Sequence, residues 1–204
     1  MIRRLVVASA NPDKAVEIAA IIGAAVPGLE ILPRPAELAE VVEDGETLAD
    51  NARLKAIAVA GATGEAALAD DTGLEVEALG GGPGVRSARY AGENATYDAN
   101  VSKLLAALDG LGAHDAADRR AVFRTVALVR WPDGRELAAE GSVAGTIAPS
   151  RRGDRGFGYD PVFVPDEGAG LTYSEMSPEE KNTLSHRGRA LRAVASQLGG
   201  LTNL

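Results

Sequence analysis

The chain has 204 residues, long enough to bury a sizeable core, and its 46% hydrophobic and 25% charged residues are ordinary for a globular protein. Its 29 acidic and 21 basic residues give a net charge of −8, which argues against nonspecific binding to nucleic acid or to an anionic membrane. The absence of cysteine excludes disulfides and thiolate metal sites. Since no signal-peptide core follows Met1 and no apolar run could span a membrane, we expect a soluble, cytoplasmic protein.

Hydrophobic periodicity in the first half of the chain predicts alternating strands and helices. A compact apolar run stops at Pro12, and apolar residues then recur at helical spacing from Ala15 to Ile22. The predicted elements are a strand over residues 5–8, a helix through residues 15–22, a second helix from about residue 47 to 60, a short strand ending at residues 68–69, and a helix carrying residues 101, 104, 105 and 108.

The second half contains a predicted hairpin and a predicted helix. Residues 119–131 and 136–147 are rich in β-branched and apolar side chains and meet across Pro132-Asp133-Gly134, which predicts a β-hairpin. The start of the helix is marked by Ser177 as N-cap, Pro178 and Glu180, and its end by Gly199-Gly200. Because no repeat or linker divides the chain, we expect a single α/β unit with a central mixed sheet, in two lobes around a groove.

The segment SANPDK, residues 9–14, lies between the first predicted strand and the first predicted helix. It offers a hydroxyl, an amide and an ammonium group beside backbone N–H groups at a helix N-terminus, which is the usual setting for a bound phosphate. The same residues also suit an Asn-Pro turn that caps the helix, with Lys14 in solvent. The residues alone leave both interpretations open.

Asp70 and Asp71 are adjacent carboxylates that follow an apolar run and precede Thr72 and a glycine. Two neighbouring carboxylates repel, and carboxylates at a strand end hold Mg²⁺ well because the ion needs oxygen ligands and pairs with phosphates. An aspartate-rich turn is the alternative. The acidic residues 43–46 and Lys55 favour the metal, which would offset the repulsion while Lys55 met phosphate, although an acidic loop is also a common solvated face.

The segment GFGYDP, residues 156–161, places two aromatic residues between glycines. Such a loop can present flat rings to a purine. In the alternative interpretation, Phe157 and Tyr159 fill the core, as most aromatic residues do.

Lys181 is followed by the segment Ser185-His186-Arg187. In one unbroken helix His186 and Arg187 would turn away from the face of Lys181. We therefore expect a break, with Ser185 capping a second helix and exposing His186 and Arg187 at its start.

Together these segments resemble the inosine/xanthosine triphosphate pyrophosphatase family, which removes noncanonical purine nucleoside triphosphates. The resemblance covers nearly the whole chain and rests on five segments in the right order: VVASANPDKAVEI, NARLKA, LADDTGLEVEALGGGPGVRSARYAG, GFGYDPVF and SHRGRAL. It implies one domain over residues 1–204, with two α/β lobes around a long central mixed sheet and the substrate groove between them. It also implies a homodimer, dependence on Mg²⁺, and cleavage between the α and β phosphates to a monophosphate and pyrophosphate.

The resemblance also assigns roles to residues of this sequence. Asp71 is implied as the proton acceptor and a metal ligand, Asp70 as a supporting catalytic residue, and Glu43 as the second metal carboxylate, with Glu46 close enough to replace it. The residues implied to bind the triphosphate are Ser9, Ala10, Asn11, Asp13, Lys14 and Lys55, with Thr72 beside the substrate. The residues implied to surround the nucleoside are Phe157, Gly158, Tyr159, Asp160, Lys181, His186 and Arg187.

Three other functions compete with this one. A Maf-like nucleotide pyrophosphatase has related architecture and a different base preference, but the SHR and GFGYDP segments argue against it. A phosphatase of the haloacid dehalogenase type would need an Asp-x-Asp nucleophile after the first strand, where this chain has SANPDK. A nucleotide-binding sensor without turnover is the alternative from outside the enzymes.

Overall fold

A computed structural model describes residues 3–202. The strands are β1 (Arg4–Val7), β2 (Glu30–Leu32), β3 (Ala66–Val76), β4 (Pro83–Gly84), β5 (Arg120–Arg130), β6 (Glu136–Ile147) and β7 (Phe163–Pro165). The α-helices are α1 (Pro12–Ala25), α2 (Leu48–Thr63), α3 (Tyr97–Gly110), α4 (Pro178–Leu184) and α5 (His186–Thr202). Within residues 3–202, none of the helices is both long enough and apolar enough to cross a membrane.

The strands form one mixed sheet in the order β2-β1-β3-β5-β6-β7, and β4 pairs with β3 outside this path. β1 runs parallel to both β2 and β3. β4 is antiparallel to β3, and β7 is antiparallel to β6. The combination of a mixed sheet with α-helices confirms the predicted α/β fold class.

The chain divides into two compact units. The first comprises Met1–Asp71, Thr125–Gly141 and Arg187–Leu204, and its core includes Leu5, Ile18, Ile22, Leu68 and Leu191. The second comprises Thr72–Arg124 and Ser142–His186, and its core includes Leu74, Leu104, Phe123, Phe163 and Tyr173. That residues 1–204 act as one functional domain stays a prediction.

Local signals in the sequence placed several elements correctly. Thr47 caps α2, since its Oγ1 accepts a hydrogen bond from the N–H of Asp50 at 3.1 Å. Ser177 and Glu180 form the predicted capping box at the start of α4. The predicted hairpin is β5 and β6, with Gly134 at φ +93° in its turn.

Two predicted element ends are wrong. The strand expected to stop at residues 68–69 is β3, which continues through Asp70 and Asp71 to Val76 because both carboxylates find partners inside the fold. The helix expected to stop at Gly199-Gly200 is α5, which continues to Thr202. A glycine inside a helix costs only about 1 kcal/mol relative to alanine, and the buried Leu198 packs this last part of α5 into the core.

Candidate active site

Asp70 and Asp71 lie in a buried group of acidic and basic side chains in the first unit. Successive side chains of a strand point to opposite faces, and the contacts agree with that rule. Asp70 meets Lys14 of α1 and Arg187 of α5, whereas Asp71 meets Lys55 of α2. The two carboxylates therefore have different nearest cations, and side chains of this chain offset part of their repulsion. That a metal ion offsets it as well stays a prediction.

Asp70 is held by two cations. Arg187 Nε donates to Asp70 Oδ2 at 3.0 Å, and Lys14 Nζ lies 3.5 Å from the same oxygen. Burial alone would raise the pKa of Asp70, but Lys14 and Arg187 outweigh it and hold this pKa well below its usual range. Arg187 Nη1 also donates to Glu17 Oε2 at 2.6 Å, so the guanidinium is fixed between two carboxylates, which raise its pKa against the opposing effect of burial.

Asp71 is held by two side chains of α2. Asn51 Nδ2 donates to Asp71 Oδ2 at 3.1 Å, and Lys55 Nζ lies 3.4 Å from Asp71 Oδ1. The same ammonium donates to Glu43 Oε2 at 3.1 Å. Burial lowers the pKa of Lys55, but the attraction of Asp71, Asp70 and Glu43 is stronger, and the net shift is upward. Lys55 therefore stays charged, and its ammonium holds the carboxylates of Glu43 and Asp71 close together.

The segment SANPDK is a helix cap. Asn11 Oδ1 accepts hydrogen bonds from the N–H groups of Asp13 and Lys14 at 2.9 and 3.2 Å, which confirms the Asn-Pro capping interpretation and leaves these two N–H groups already bonded. Lys14 is nevertheless not in solvent, because its ammonium is directed at Asp70. Burial lowers the pKa of Lys14, Asp70 opposes that shift, and the nearby Lys55 and Arg187 add to it.

A second buried charge pair shapes the loop of residues 156–161 in the second unit. Asp160 Oδ2 accepts hydrogen bonds from Phe157 N at 2.8 Å and from Lys181 Nζ at 2.5 Å. Lys181 Nζ also lies 4.7 Å from the centre of the Phe157 ring. Gly156 has φ +71°, and a Cβ at this position would collide with Asp160 Oδ2. The loop therefore wraps the Asp160 carboxylate closely and presents Phe157 beside the Lys181 ammonium.

The two aromatic residues of this loop differ in exposure. Tyr159 is buried in the core of the second unit, its hydroxyl donates to the carbonyl oxygen of Ser87 at 2.9 Å, and burial raises its pKa. The expectation that both rings are presented to a ligand is therefore wrong for Tyr159, whose ring is needed in the core. Phe157 is half-buried, and its ring lies 5.8 Å from that of Tyr97.

The predicted helix break is present, but the predicted exposure is wrong. Ser185 is extended, with φ −69° and ψ 154°, between the end of α4 and the start of α5 at His186. His186 and Arg187 are each only 2% exposed. The imidazole of His186 stacks on Phe123, with ring centres 4.3 Å apart and planes 10° apart, and Arg187 is drawn into the charged group of the first unit. That Ser185 caps α5 stays a prediction.

The remaining predicted site residues are more accessible. Ala10, Asp13 and Glu46 are exposed, Ser9 and Thr72 are half-buried, the Glu43 side chain is 33% exposed, and Gly158 has φ +61° with open space around it. Two residues of the charged group were missed, Asn51 and Glu17. Asn51 lies one turn before Lys55 and Glu17 one turn after Lys14, so helical spacing was the signal that could have found both.

The sequence profile of the Ham1 family matches residues 5–197. The chain belongs to the Ham1 family. It is 49% identical to a dITP/XTP pyrophosphatase of Methylococcus capsulatus, over 99% of each chain, and 46% identical to a dITP/XTP pyrophosphatase of Geobacter sulfurreducens, over 96% of each. Membership confirms the predicted family, and these relatives support the predicted class of enzyme, a nucleoside triphosphate pyrophosphatase.

Solved structures of Ham1 proteins share the fold. A HAM1 protein from Coxiella burnetii superposes with a TM-score of 0.84 at 37% identity and covers 97% of this chain and 98% of its own. The Ham1 protein of Staphylococcus aureus has a TM-score of 0.81 at 38% identity, with the same coverage.

Proposed function

We propose that this Ham1 protein hydrolyses noncanonical purine nucleoside triphosphates, namely ITP, dITP and XTP, to the monophosphate and pyrophosphate, and so clears them from the nucleotide pool. The observation that carries the proposal is the arrangement around Asp71, a fixed carboxylate with Lys55 and Glu43 at one end and Asn51 at the other. The relatives from Methylococcus capsulatus and Geobacter sulfurreducens are dITP/XTP pyrophosphatases, which supports the substrate class.

The residues present fit Mg²⁺. Asp71 and Glu43 both contact the ammonium of Lys55, so their oxygens reach a common point, and Glu43 remains partly exposed. Mg²⁺ keeps several waters and needs only one or two carboxylates when substrate phosphates complete its shell. That need agrees with the finding that, over residues 3–202, no cluster of three or more potential ligand side chains is present. Bound there, Mg²⁺ would supply charge neutralisation for the triphosphate oxygens.

The chain's own residues supply the rest of the chemistry. Asp71 accepts a proton from the attacking water, and its contacts with α2 fix the direction in which the carboxylate points. Lys14 and Lys55 hold the outgoing phosphates together with the residue 9–14 segment and Thr72, and Asp70 keeps Lys14 and Arg187 in place from the other face of β3.

We assign recognition of the purine base to side chains that donate hydrogen bonds and to the aromatic ring of Phe157. Phe157 offers a partly exposed ring next to the Lys181 ammonium, and residues 158–160 hold it there. We assign Lys181, His186 and Arg187 as donors to the purine edge. Lysine and arginine are donors only and histidine can donate, so each of these side chains favours the 6-oxo acceptor of hypoxanthine or xanthine.

The first prediction concerns products. With ITP and Mg²⁺ the protein should release IMP and pyrophosphate in equal amounts, because Lys14 and Lys55 can hold the outgoing phosphates as one group. Chromatography of nucleotides, with separate assays for pyrophosphate and orthophosphate, measures this. Orthophosphate released stepwise through IDP would contradict the proposal, and bound ITP without any product would indicate a sensor.

The second prediction concerns the base. The parent should have a higher kcat/KM for ITP than for ATP, because the 6-amino group of adenine is a donor and would face a donor of the protein. Each buried group left without a hydrogen bond costs about 1–3 kcal/mol. Replacing Arg187 by alanine should lower this preference about tenfold. The comparison is kcat/KM for ITP, XTP, dITP, GTP and ATP.

Lys14→Ala is the matched control, because it also removes a cation from Asp70 but one assigned to the phosphates that all these substrates share. It should lower kcat/KM for ITP and ATP alike. Equal losses for ITP and ATP in Arg187→Ala would show that Arg187 acts through Asp70 and does not read the base.

We further infer that residues 1–204 work as one pyrophosphatase domain, since the family profile spans residues 5–197 in both units. Homodimerisation is proposed from the family resemblance, and a cytoplasmic location from the cysteine-free composition. The net charge of −8 disfavours nucleic acid and membrane partners.

A further inference from the structure

We propose that Asn51 is a positioning residue, which orients the carboxylate of Asp71 and ties it to the loop that carries Glu43. The inference rests on the proposed function for what Asp71 and Glu43 do, but the contacts are independent of it. Asn51 is completely buried, so it acts on these groups through hydrogen bonds inside the fold.

The side-chain amide of Asn51 uses both of its ends. Nδ2 donates to Asp71 Oδ2 at 3.1 Å, and Oδ1 accepts from the backbone N–H of Gly45 at 2.9 Å. The backbone N–H can only donate and an ionised carboxylate can only accept, so the amide orientation is set by its two partners. An aspartate of the same size would keep the bond to Gly45 but would face Asp71 with a second acceptor.

Glycine at position 45 is required by this contact. A Cβ there would lie 2.7 Å from Asn51 Oδ1 and 2.7 Å from the Cβ of Asp50, both closer than real Cβ atoms come. The backbone of Gly45 has no left-handed φ, so its use is close approach. An alanine at this position would push the loop away from α2 and break the hydrogen bond to Asn51.

Asn51 and Lys55 act together because they lie one helical turn apart on the same face of α2. Lys55 contacts Asp71 and the side chain of Glu43, while Asn51 contacts Asp71 and the backbone two residues after Glu43. Each oxygen of the Asp71 carboxylate thus has its own partner on a rigid helix. The terminal torsion of an aspartate is otherwise broad, so two contacts select one carboxylate orientation.

The test compares Asn51 with a matched buried asparagine. Asn100 is 2% exposed and also joins two groups, accepting from Ala91 N at 2.7 Å and donating to Ala88 O at 2.9 Å, but it has no contact with Asp71. The variants are Asn51→Leu, Asn51→Asp and Gly45→Ala, with Asn100→Leu and Asn100→Asp as controls for loss of stability. Each is assayed for kcat and KM with ITP, for its unfolding midpoint, and for Mn²⁺ binding by electron paramagnetic resonance without nucleotide.

We expect Asn51→Asp and Gly45→Ala to lower kcat about 10- to 100-fold with KM changed less than about threefold, because a small misplacement of a catalytic group costs rate more than binding. Asn51→Leu should weaken Mn²⁺ binding about tenfold, as loss of an outer partner of a ligand does. The Asn100 variants should keep kcat and Mn²⁺ affinity within about twofold, whatever their unfolding midpoint.

The outcomes separate the inference from the proposed function. Folded Asn51→Asp and Gly45→Ala proteins with kcat within threefold of the parent would overturn the positioning role. So would Asn100 variants that lose kcat to the same extent. If the parent releases no pyrophosphate from any nucleotide, the proposed function fails, and the Mn²⁺ measurement still decides whether Asn51 positions Asp71 and the Glu43 loop.

Discussion

Replacing Asp71 by asparagine is expected to lower kcat for ITP about 10²- to 10⁴-fold while the protein stays folded. The loss has that size because an amide cannot accept the proton from water, and general base catalysis contributes about this much. An amide is also a poor ligand for Mg²⁺. The fold should survive because Lys55 keeps its ion pair with Glu43, so no buried cation loses its last carboxylate.

The measurement is kcat at saturating ITP and Mg²⁺, with circular dichroism and the unfolding midpoint of the same sample. Asp154→Asn is the control, since it makes the same chemical change on an exposed loop. It should leave kcat unchanged. An Asp71→Asn protein with near-normal turnover would mean that another group takes the proton.

Replacing Lys181 by methionine is expected to lower the free energy of unfolding by about 3–5 kcal/mol. The Lys181 and Asp160 side chains are 6% and 5% exposed, so the variant leaves a buried carboxylate without its cation. Replacing both, as Asp160→Asn with Lys181→Met, should cost clearly less than the sum of the two single changes, because no buried charge is then left without a counter-charge.

Urea unfolding of the parent, both single variants and the double variant measures this coupling. The exposed pair Arg120 and Asp166, with Nη1 and Oδ1 2.7 Å apart and side chains 35% and 47% exposed, supplies the control: Arg120→Met should cost less than about 1 kcal/mol. The prediction fails if the double variant loses as much unfolding free energy as the two single variants together. It also fails if Arg120→Met destabilises the protein as much as Lys181→Met does.

Sequence reasoning succeeded where a few neighbouring residues decide the structure. The capping box at Ser177 depends on side chains three residues apart, and the hairpin turn at Gly134 depends on its own backbone. The break at Ser185 was also found, from the mismatch of helical faces. The residues that determine each of these features lie close together in the sequence, so a single sequence is enough to predict where they occur.

The candidate site was predicted as a list of residues and not as a set of contacts. Asp70 is 117 residues from its partner Arg187, and no local pattern could pair them. The same distance in sequence hid the burial of His186 and Arg187, which were expected at an exposed helix start. Asn51 was overlooked for another reason: its spacing of one helical turn from Lys55 placed it on the same face of α2, but its burial and its two partners could not be read from the sequence.

The placement of neighbouring aspartates on opposite faces of β3 also decides how this strand is aligned in the sheet. All the residues from Ala66 to Asp71 are buried, and the apolar ones are three alanines and a leucine, so hydrophobic alternation barely distinguishes one pairing register from the next. A slip by one residue that moved Ala69 into the place of Asp70 would take the Asp70 carboxylate away from Lys14 and leave Arg187 with Glu17 alone, at a cost of several kcal/mol. The charges that we assign to catalysis therefore also exclude the misaligned strand during folding.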